Sequence, residues 1–563
     1  MTRSVIDPIT RIEGHLRAEM EVEDGVVTNA WVSGGCFRGM ELVVQDRTPE
    51  DAAQIVERIC GVCPVSHAHA SSIAGEKAYG ITISNNARII RNLIEGAQFL
   101  HSNILWFYNL AALDYVNPLN ALEANAADAI DLAQAAGTSM NSDLVALQEK
   151  LTAFAANGQL SIFSGNWFSA DNGTAYNLPP ELDLICTAHY LEALKMQAKS
   201  SEIAALLGGK MPHVMTIIPG GTAFVPTEQK LDDLKALVDE VYNWVATTMI
   251  PDTLAIAPYY APALNFGKGC GRYIAWGVFE GAGWPYGEDY IEQMKNRYLP
   301  MAVLDENFTV SDVEESLITE YVGHSWYKGD GIYTSPYFTT EPEFTEYYKE
   351  GTDTVSDRYT WIKCPAYDGK PMEAGSMARL FAAYRRGVPF IVEHIDALCV
   401  ALGAQPGDLS AFQSTLGRTA IRQVETLYVA TLMREWVDEL MEAVAGGDSE
   451  YFREPMTITG KGTGFWEAPR GALYHSEEVK DGKITGYQII IPSTWNLAPI
   501  NADGVHGPLE QALIGVPVED IEMPINALRT VHSFDPCTAC AVHVTEPKTG
   551  KSFETVTSPW GVK

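Results

Sequence analysis

Two Cys-x-x-Cys pairs dominate the chemistry that this sequence could perform. Cys60 and Cys63 lie in "ICGVCPVSH", and Cys537 and Cys540 lie in "DPCTACAVH" near the last residue. Each pair alone has the spacing of a zinc knuckle or of a thioredoxin-like redox motif. The inner cysteines are 537 − 63 = 474 residues apart, so only folding can bring the four thiols together.

The other cysteines provide no comparable pattern. The chain has nine cysteines, an odd number spread thinly over 563 residues, which does not fit a disulfide framework. The isolated ones match no iron–sulfur binding run, and Cys36 receives no role. No Gly-x-Gly-x-x-Gly motif for a flavin or nicotinamide follows a strand. The chemistry therefore concentrates at the two pairs.

The overall composition argues against two classes of binding partner. With 72 acidic against 39 basic side chains, the formal net charge is −33. This charge opposes binding to nucleic acid and direct docking on an anionic membrane. We also expect no signal peptide and no transmembrane helix, because no sufficiently long apolar run occurs.

The elements that must position the cysteines are mainly helical. Apolar residues recur at helical spacing over 85–113, with Asn85 or Asn86 as the expected cap. Further helices are predicted over 186–207, 228–249, 374–402 and 409–445. Asp24-Gly25 and Asp481-Gly482 indicate two hairpin turns. The predicted fold is mainly α, a large helical bundle core with small strand-bearing pieces near both termini and long ordered loops.

The predicted organisation is one body over residues 1–543. Its parts are a strand-bearing region with the first cysteine motif (1–84), a helical core (85–450) and a strand hairpin with the second cysteine motif (451–543). A loop-rich insertion, rich in Gly, Pro, Tyr and Trp, interrupts the core at about 250–370.

Six sequence motifs, found in order along the chain, together resemble one protein family. "DPITRIEGHLR", "FRGMELVVQDR", "RICGVCPVSH", "EAPRGALYH", "PSTWN" and "DPCTACAVH" run from one end of the chain to the other. Together they resemble the large, catalytic subunit of nickel–iron hydrogenases, most closely the membrane-bound uptake branch. The resemblance implies reversible heterolytic cleavage of H2 to protons and electrons.

The resemblance also implies a ligand set. Cys60 and Cys537 would bind nickel terminally, while Cys63 and Cys540 would bridge nickel to an iron that carries cyanide and carbon monoxide. Four thiolates form a soft, strongly donating site that suits nickel. A magnesium-type ion would be held by Glu41, the backbone carbonyl of Ile489, and His543, since such hard cations favour oxygen ligands.

Other residues acquire expected roles in the same way. Glu13 would transfer protons, and Arg470 would lie above the open coordination site, paired with Asp535. The residues expected around the centre are His67, Pro469, Pro492, Ser493 and Ser102. Ser102 departs from the family pattern, where many relatives have aspartate, and Ile500-Asn501 replaces an expected Arg-Asp.

The resemblance further implies partners and a location. An iron–sulfur small subunit would form an obligate heterodimer with this chain, with a dimer of heterodimers as a further assembly. Nickel-insertion chaperones and an endopeptidase would complete maturation by removing residues 544–563. Export with the partner predicts a periplasmic or membrane-associated enzyme, with a cytoplasmic location as the alternative. The competing functions are a zinc-binding interaction protein and a non-catalytic scaffold related to complex I.

Overall fold

Helices form the bulk of the protein. The computed structural model describes residues 2–139, 141–160, 175–281, 290–335 and 340–538, with about 47% helix and 17% strand. The helices are α1 (Met40–Val43), α2 (Pro49–Val56), α3 (Pro64–Tyr79), α4 (Asn85–Leu105), α5 (Ala126–Ala135), α6 (Leu144–Ala156), α7 (Pro180–Gly208), α8 (Glu228–Trp244), α9 (Ile250–Ile256), α10 (Tyr290–Lys295), α11 (Ser376–Arg385), α12 (Pro389–Ala401), α13 (Thr415–Ala445), α14 (Pro492–Asn496), α15 (Pro508–Leu513) and α16 (Ile525–Ser533).

The strands form several small sheets, and each ladder is antiparallel. They are β1 (Thr2–Ile6), β2 (Leu16–Glu23), β3 (Val26–Gly34), β4 (Ile217–Ile218), β5 (Gly221–Thr222), β6 (Tyr273–Ala275), β7 (Ala302–Leu304), β8 (Val310–Ser311), β9 (Ile318–Tyr321), β10 (Ile332–Thr334), β11 (Cys364–Tyr367), β12 (Gly460–Ala468), β13 (Gly471–Lys480) and β14 (Lys483–Ile490). β1–β3 and β12–β14 are the sheets near the two ends. The predicted fold class, mainly α with small strand pieces, is confirmed.

Three long helices, α4, α7 and α13, form the centre of the bundle. Most residues of α4 are buried, and α13 extends over 31 residues. Where these two helices cross, the amide of Asn103 donates to the hydroxyl of Thr426 at 3.0 Å. The burial of apolar side chains on both helices supplies the main stabilisation of this region.

Two helix predictions need correction. Ser84, and not Asn85 or Asn86, caps α4, because its hydroxyl accepts from the N–H of Ala87. The run predicted over 374–402 is two helices, α11 and α12. Gly387 has a positive φ of 79° and Pro389 begins the next helix, so the chain turns between them.

Both predicted hairpins are confirmed. Asp24 and Gly25 have φ of 50° and 76° between β2 and β3, and Asp481 and Gly482 have φ of 50° and 74° between β13 and β14. Two successive positive φ angles define the type I′ turn, which matches the right-handed twist of the flanking strands.

The C-terminal sheet packs directly against α3, the helix that follows the first cysteine pair. A Cβ placed at Gly462 or Gly464 would lie 1.9 Å from the carbonyl oxygen of Ala74 or Ala70. Only glycine permits this approach of strand and helix backbones. The packing places residues of β13 and β14 beside the first cysteine motif.

No described helix combines the length with the apolar character that a crossing of a lipid bilayer requires.

Candidate metal centre

The first cysteine pair occupies a turn between a short 3-10 segment and α3. Cys60 follows Ile59 in an extended conformation, and Cys63 is the N-cap of α3, with Pro64 at the first helical position. The N–H groups of Val62 and Cys63 both lie 3.3 Å from the sulfur of Cys60 and donate to it. Two backbone donors stabilise the thiolate form, which is the form that binds metal.

Cys537, from the second pair, is placed through contacts with the N-terminal segment. Cys537 forms an isolated parallel bridge with Glu13, and the N–H of Thr538 donates to the carbonyl of Glu13 at 2.8 Å. The N–H of Cys537 donates to the hydroxyl of Ser493 at 3.0 Å. The Cys537 sulfur lies 3.1 Å from Oε2 of Glu13. Both chain ends therefore hold Cys537 in position.

Three of the four predicted thiols converge. The sulfurs of Cys60 and Cys537 are 3.4 Å apart, and those of Cys60, Cys63 and Cys537 all lie within 4.8 Å of one another in a buried position. A metal bound at about 2.3 Å to each of two sulfurs separates them by roughly 3.3–3.8 Å, so the spacing fits a shared metal. Cys540 and His543 lie outside the described residues.

A pair of arginines shares one carboxylate beside the sulfurs. Nε of Arg470 donates to the backbone oxygen of Asp535 and Nη2 donates to Oδ1, both at 3.0 Å, while Nη1 of Arg422 lies 3.6 Å from Oδ2. Burial lowers the pKa of Arg470, but Asp535 and the three cysteines outweigh it and hold this pKa above its usual range. Burial lowers the pKa of Arg422 to about 10.

The Nη1 atom of Arg470 is buried and has no hydrogen-bond partner among the described residues. A buried guanidinium N–H without an acceptor carries a desolvation cost, so its presence indicates a group that belongs there. This atom is an unsatisfied donor next to the three sulfurs.

Residues expected around the centre are buried nearby. His67 lies one turn after Cys63 on α3, and burial lowers the pKa of this histidine to about 4. Pro492 begins α14, and the carbonyl of Pro469 accepts from Nη2 of Arg379 at 2.7 Å. The hydroxyl of Ser102 on α4 is buried without a hydrogen-bond partner among the described residues.

Glu41 and Ile489, two expected ligands of a hard cation, contact each other in a way that was not expected. Oε1 of Glu41 accepts from the backbone N–H of Ile489 at 2.9 Å, whereas the expected ligand was the Ile489 carbonyl. The ammonium of Lys363 lies 3.3 Å from Oε2 of Glu41 and 3.8 Å from Oε2 of Glu320. Lys363 therefore balances the carboxylate that would bind the cation.

Three residues at this centre were missed by the sequence analysis: Lys363, Arg422 and His475. None has a local signal, since each meets its partner across a long stretch of chain. His475 stands within the landmark "EAPRGALYH", but nothing in that motif indicates contact with His67, whose Nδ1 lies 3.2 Å from Nε2 of His475. The second departure, Asn501, organises a loop by accepting from the N–H groups of Asp503 and Val505 at 3.0 and 2.9 Å.

Comparisons with known proteins agree with this geometry. The family model described as nickel-dependent hydrogenase matches residues 38–543. The chain is 37% identical to the hydrogenase-2 large chain of Escherichia coli K12, over 97% of each chain. It is 36% identical to the uptake hydrogenase large subunit of Bradyrhizobium diazoefficiens, over 97% of this chain and 96% of that one.

Solved structures give the same result. The [NiFeSe]-hydrogenase of Desulfomicrobium baculatum is 33% identical, with a TM-score of 0.77, and covers 96% of this chain and 100% of its own. The Ni-Fe-Se hydrogenase of Desulfovibrio vulgaris Hildenborough is 32% identical with the same TM-score, and the match covers 96% of this chain and 100% of that one.

Proposed function

This chain belongs to the nickel-dependent hydrogenase large-subunit family and is an oxidoreductase acting on H2; from that premise we propose how its own residues build and operate the site. Cys60, Cys63, Cys537 and Cys540 would hold a nickel–iron centre whose iron would carry cyanide and carbon monoxide. Two electrons from each H2 pass to an iron–sulfur small subunit. The observation that carries the proposal is the convergence of Cys60, Cys63 and Cys537 from opposite ends of the chain.

The donors around the sulfurs fit such a group. The thiolates suit a soft metal, and Nη1 of Arg470 is a buried donor that lacks an acceptor among the described residues. The Ser493 hydroxyl accepts from the N–H of Cys537, so its own proton remains available to donate. These two donors would be available to hydrogen-bond the cyanide ligands of such a centre. When bound, the centre supplies the heterolytic cleavage of H2.

Glu13 is the proton-transfer residue of the proposed site. Its Oε2 lies 3.1 Å from the Cys537 sulfur, within the reach that direct proton transfer requires. The backbone of Glu13 is fixed by the bridge to Cys537, so the carboxylate is held beside the sulfur and needs no rearrangement before transfer. Glu13 therefore moves the proton between the terminal thiolate and the rest of the protein.

Arg470 acts through its charge. Burial lowers the pKa of Arg470, but Asp535 and the cysteines hold this pKa above the usual range, which favours the charged guanidinium. A fixed guanidinium beside the centre stabilises negative charge that develops there, and Asp535 keeps it in that orientation. Asp535 is thus a positioning residue for Arg470.

At the proposed cation site, the carboxylate of Glu41 already contacts other groups of the protein. Both oxygens of Glu41 are occupied, one by the Ile489 N–H and one by Lys363. A magnesium-type ion bound by Glu41, the Ile489 carbonyl and His543 would lie next to the ammonium of Lys363, which both Glu41 and Glu320 face. That ion would hold the C-terminal segment against the body, and the maturation endopeptidase would remove residues 544–563, which follow His543.

The small subunit would dock on the surface nearest Cys60. His213 is partly exposed, and burial, Arg58 and Lys210 lower its pKa while the charge of Cys60 opposes them. Met215 and Val225, both more than half exposed, provide apolar contact area in the following segment. Nickel-insertion chaperones would precede this docking. We propose that the heterodimer, or its dimer, lies in the periplasm or at the membrane through the partner.

Metal content and infrared spectra of the matured heterodimer test the proposal. We expect about one nickel and one iron per large subunit, with bands from metal-bound carbon monoxide and cyanide, because no protein group absorbs in that region. Zinc alone without these bands would support the zinc-binding alternative, and the absence of any metal would support the scaffold alternative.

A matched pair of variants tests the ligand assignment. Cys537→Ser is expected to abolish nickel retention and removal of residues 544–563. Cys364→Ser is the control, because the buried Cys364 thiol donates to the carbonyl of Pro499 at 3.3 Å, an interaction that a hydroxyl can also make. Normal nickel content in Cys537→Ser would refute the assignment.

A further inference from the structure

A buried carboxylate links the two ends of the chain at a point that the proposed mechanism does not use. Oδ1 of Asp114 accepts from the guanidinium of Arg11, and Oδ2 lies 2.6 Å from Nδ1 of His532. Arg11 belongs to the N-terminal segment that leads to Glu13, and His532 belongs to α16, which leads to Cys537. We call Arg11, Asp114 and His532 the terminal clamp.

The imidazole of His532 also contacts the N-terminal segment directly, because its Nε2 lies 2.8 Å from the carbonyl oxygen of Thr10. Burial raises the pKa of Asp114, but Arg11 and His532 outweigh it and lower this pKa to about 2, so the carboxylate is ionised at neutral pH. Neither a carboxylate nor a carbonyl can donate a proton, so both ring nitrogens of His532 must donate. His532 is therefore an imidazolium.

Further hydrogen bonds attach the terminal clamp to the end of the central helix α4. Asp114 closes the 3-10 segment Ala112–Asp114, which follows α4. Nε and Nη2 of Arg529, one turn before His532 on α16, donate to the backbone oxygen of Asp114 at 3.1 and 2.8 Å. The indole N–H of Trp106 donates to the carbonyl of His532 at 2.8 Å. The bundle thus provides a fixed support for the terminal clamp.

Two short connectors lead from the terminal clamp to the candidate metal centre. Glu13 comes two residues after Arg11, and Cys537 comes five residues after His532. The connectors bind each other, since the N–H of Glu13 donates to the carbonyl of Pro536 at 3.4 Å. Because a residue spans at most about 3.6 Å of extended chain, a displacement of the terminal clamp must move both connectors.

The backbone pairing between the connectors supplies little order of its own. Glu13 and Cys537 form a single isolated bridge, and even a complete two-stranded ladder is only marginally stable alone. The hydrogen bonds of the terminal clamp join charged groups and are stronger than neutral ones. They supply a fixed point for the bridge, and with it for the 3.4 Å distance between the sulfurs of Cys60 and Cys537.

We propose that Arg11, Asp114 and His532 are positioning residues that hold Cys537 beside Cys60 by tying both chain ends to the helical bundle. The inference rests on the proposed function in one respect, that Cys537 is a metal ligand. The positioning itself is a property of the metal-free chain, so it can be tested without metal.

The rate at which a thiol reagent modifies each cysteine measures this positioning. Metal-free full-length protein is treated with N-ethylmaleimide under native conditions, and each cysteine is followed by mass spectrometry. Asp114→Ala should speed the modification of Cys537 by about tenfold or more, because losing hydrogen bonds between charged groups shifts a local opening equilibrium by that factor. Cys364, which is buried against the carbonyl of Pro499, should react as in wild type.

A second buried histidine–aspartate pair provides the matched control. Nδ1 of His189 lies 2.8 Å from Oδ2 of Asp252, and this pair joins α7 to α9 instead of the two chain ends. Asp252→Ala removes the same type of buried carboxylate and should also destabilise the fold, but it should leave the modification rate of Cys537 unchanged. The control separates positioning of Cys537 from a general loss of stability.

A conservative variant separates the geometry of the terminal clamp from its charge. In Asp114→Asn the amide oxygen can still accept from Arg11, and the amide N–H can donate to Nδ1 of a neutral His532. The modification rate of Cys537 should therefore lie closer to wild type than in Asp114→Ala. Nitrogen-15 NMR should show both ring nitrogens of His532 protonated in the wild-type chain at pH 7, and only Nε2 protonated in Asp114→Asn.

The matured heterodimer provides the functional readout. Asp114→Ala should release nickel to a chelator about tenfold faster than wild type, because a loosened support weakens metal binding by at least that factor. Asp252→Ala should release it at the wild-type rate. If Asp114→Ala does not fold, Arg11→Met replaces it, since the Arg11 side chain is 19% exposed and tolerates change better.

Three results would overturn the inference: an unchanged modification rate of Cys537 in the folded clamp variant, an equal increase in Asp252→Ala, or a singly protonated His532 in the wild-type chain. The NMR result on wild-type protein decides alone if neither clamp variant folds. A wild-type heterodimer that contains zinc alone would refute the proposed function, whereas the modification rates use metal-free protein and would still decide the role of the terminal clamp.

Discussion

Two buried arginine–carboxylate clusters lie side by side in this protein and differ in how fully their polar groups are paired. In the structural cluster (Arg379, Glu425, Glu467), Arg379 donates to both glutamates at 2.6–2.9 Å and to the carbonyls of Ala468 and Pro469. In the centre-facing cluster (Arg470, Asp535, Arg422), Nη1 of each arginine and Oδ2 of Asp535 lack a hydrogen bond within the described residues.

This difference in hydrogen bonding indicates a structural role for one cluster and a functional role for the other, although both consist of arginines and carboxylates. A saturated cluster can only hold elements together, here α11, α13 and β12. An unsaturated cluster beside three sulfurs has donors left for a group that the polypeptide does not supply. The carbonyl of Pro469 accepts from Arg379 of the structural cluster, and the next residue, Arg470, belongs to the centre-facing cluster, so two adjacent residues contact different clusters.

Breaking the structural cluster should have the largest effect. Arg379→Met leaves Glu425 and Glu467 buried without their cation, and we expect the free energy of unfolding to fall by about 3–5 kcal/mol. Denaturant unfolding followed by tryptophan fluorescence measures this. A loss below about 1 kcal/mol would show that the cluster is not what stabilises this region.

Changing the centre-facing cluster should affect catalysis and not stability. Arg470→Lys keeps the positive charge but loses the planar fork, so we expect H2 oxidation with an artificial acceptor to fall by about 10²–10³. Nickel and iron content and unfolding should stay close to wild type, since Arg422 still faces Asp535. Wild-type activity in this variant would contradict the electrostatic role of Arg470.

The pH dependence of stability can sharpen the comparison. Burial raises the pKa of Glu467 to about 7, although Arg379 opposes it. The folded state then holds its proton more tightly than the unfolded state, so this group's contribution to stability is lost as pH rises from about 4.5 to 7. Glu467→Gln should flatten that part of the profile by about 3 kcal/mol; a profile identical to wild type would contradict the assignment.

The smallest expected effect comes from Ser102, the departure beside the centre-facing cluster. Trp106, one turn along α4, lies under the Arg422 guanidinium at 4.0 Å. An aspartate at 102 would therefore meet an arginine, and Ser102→Asp should raise the free energy of unfolding by about 1 kcal/mol. Asn103→Asp is the control: its neighbour is the Thr426 hydroxyl and not a guanidinium, so this change should destabilise.

What the sequence predicted well depends on short-range signals. The hairpin turns follow from Asp-Gly pairs that permit positive φ, and the long helices follow from apolar spacing. The same local reasoning failed where two local signals competed. Ser84 rather than the next two asparagines caps α4, and Gly387 with Pro389 ends a helix inside an otherwise continuous apolar pattern.

The candidate site shows the same distinction between residues with a local sequence signal and residues without one. The cysteine pairs and the family landmarks are local in sequence, so their residues could be named before the structure was known. Lys363 beside Glu41 and Arg422 beside Asp535 join segments more than 100 residues apart, and no periodicity connects them. Pairings of this kind become visible only when the folded chain places the two charges together.

The most direct test of the central claim is anomalous diffraction from crystals of the matured heterodimer, collected on both sides of the nickel and iron absorption edges. One nickel and one iron peak should lie between the sulfurs of Cys60, Cys63 and Cys537, with the Arg470 side chain facing the iron's ligands. A zinc peak at these sulfurs, or nickel and iron located elsewhere in the protein, would contradict the account.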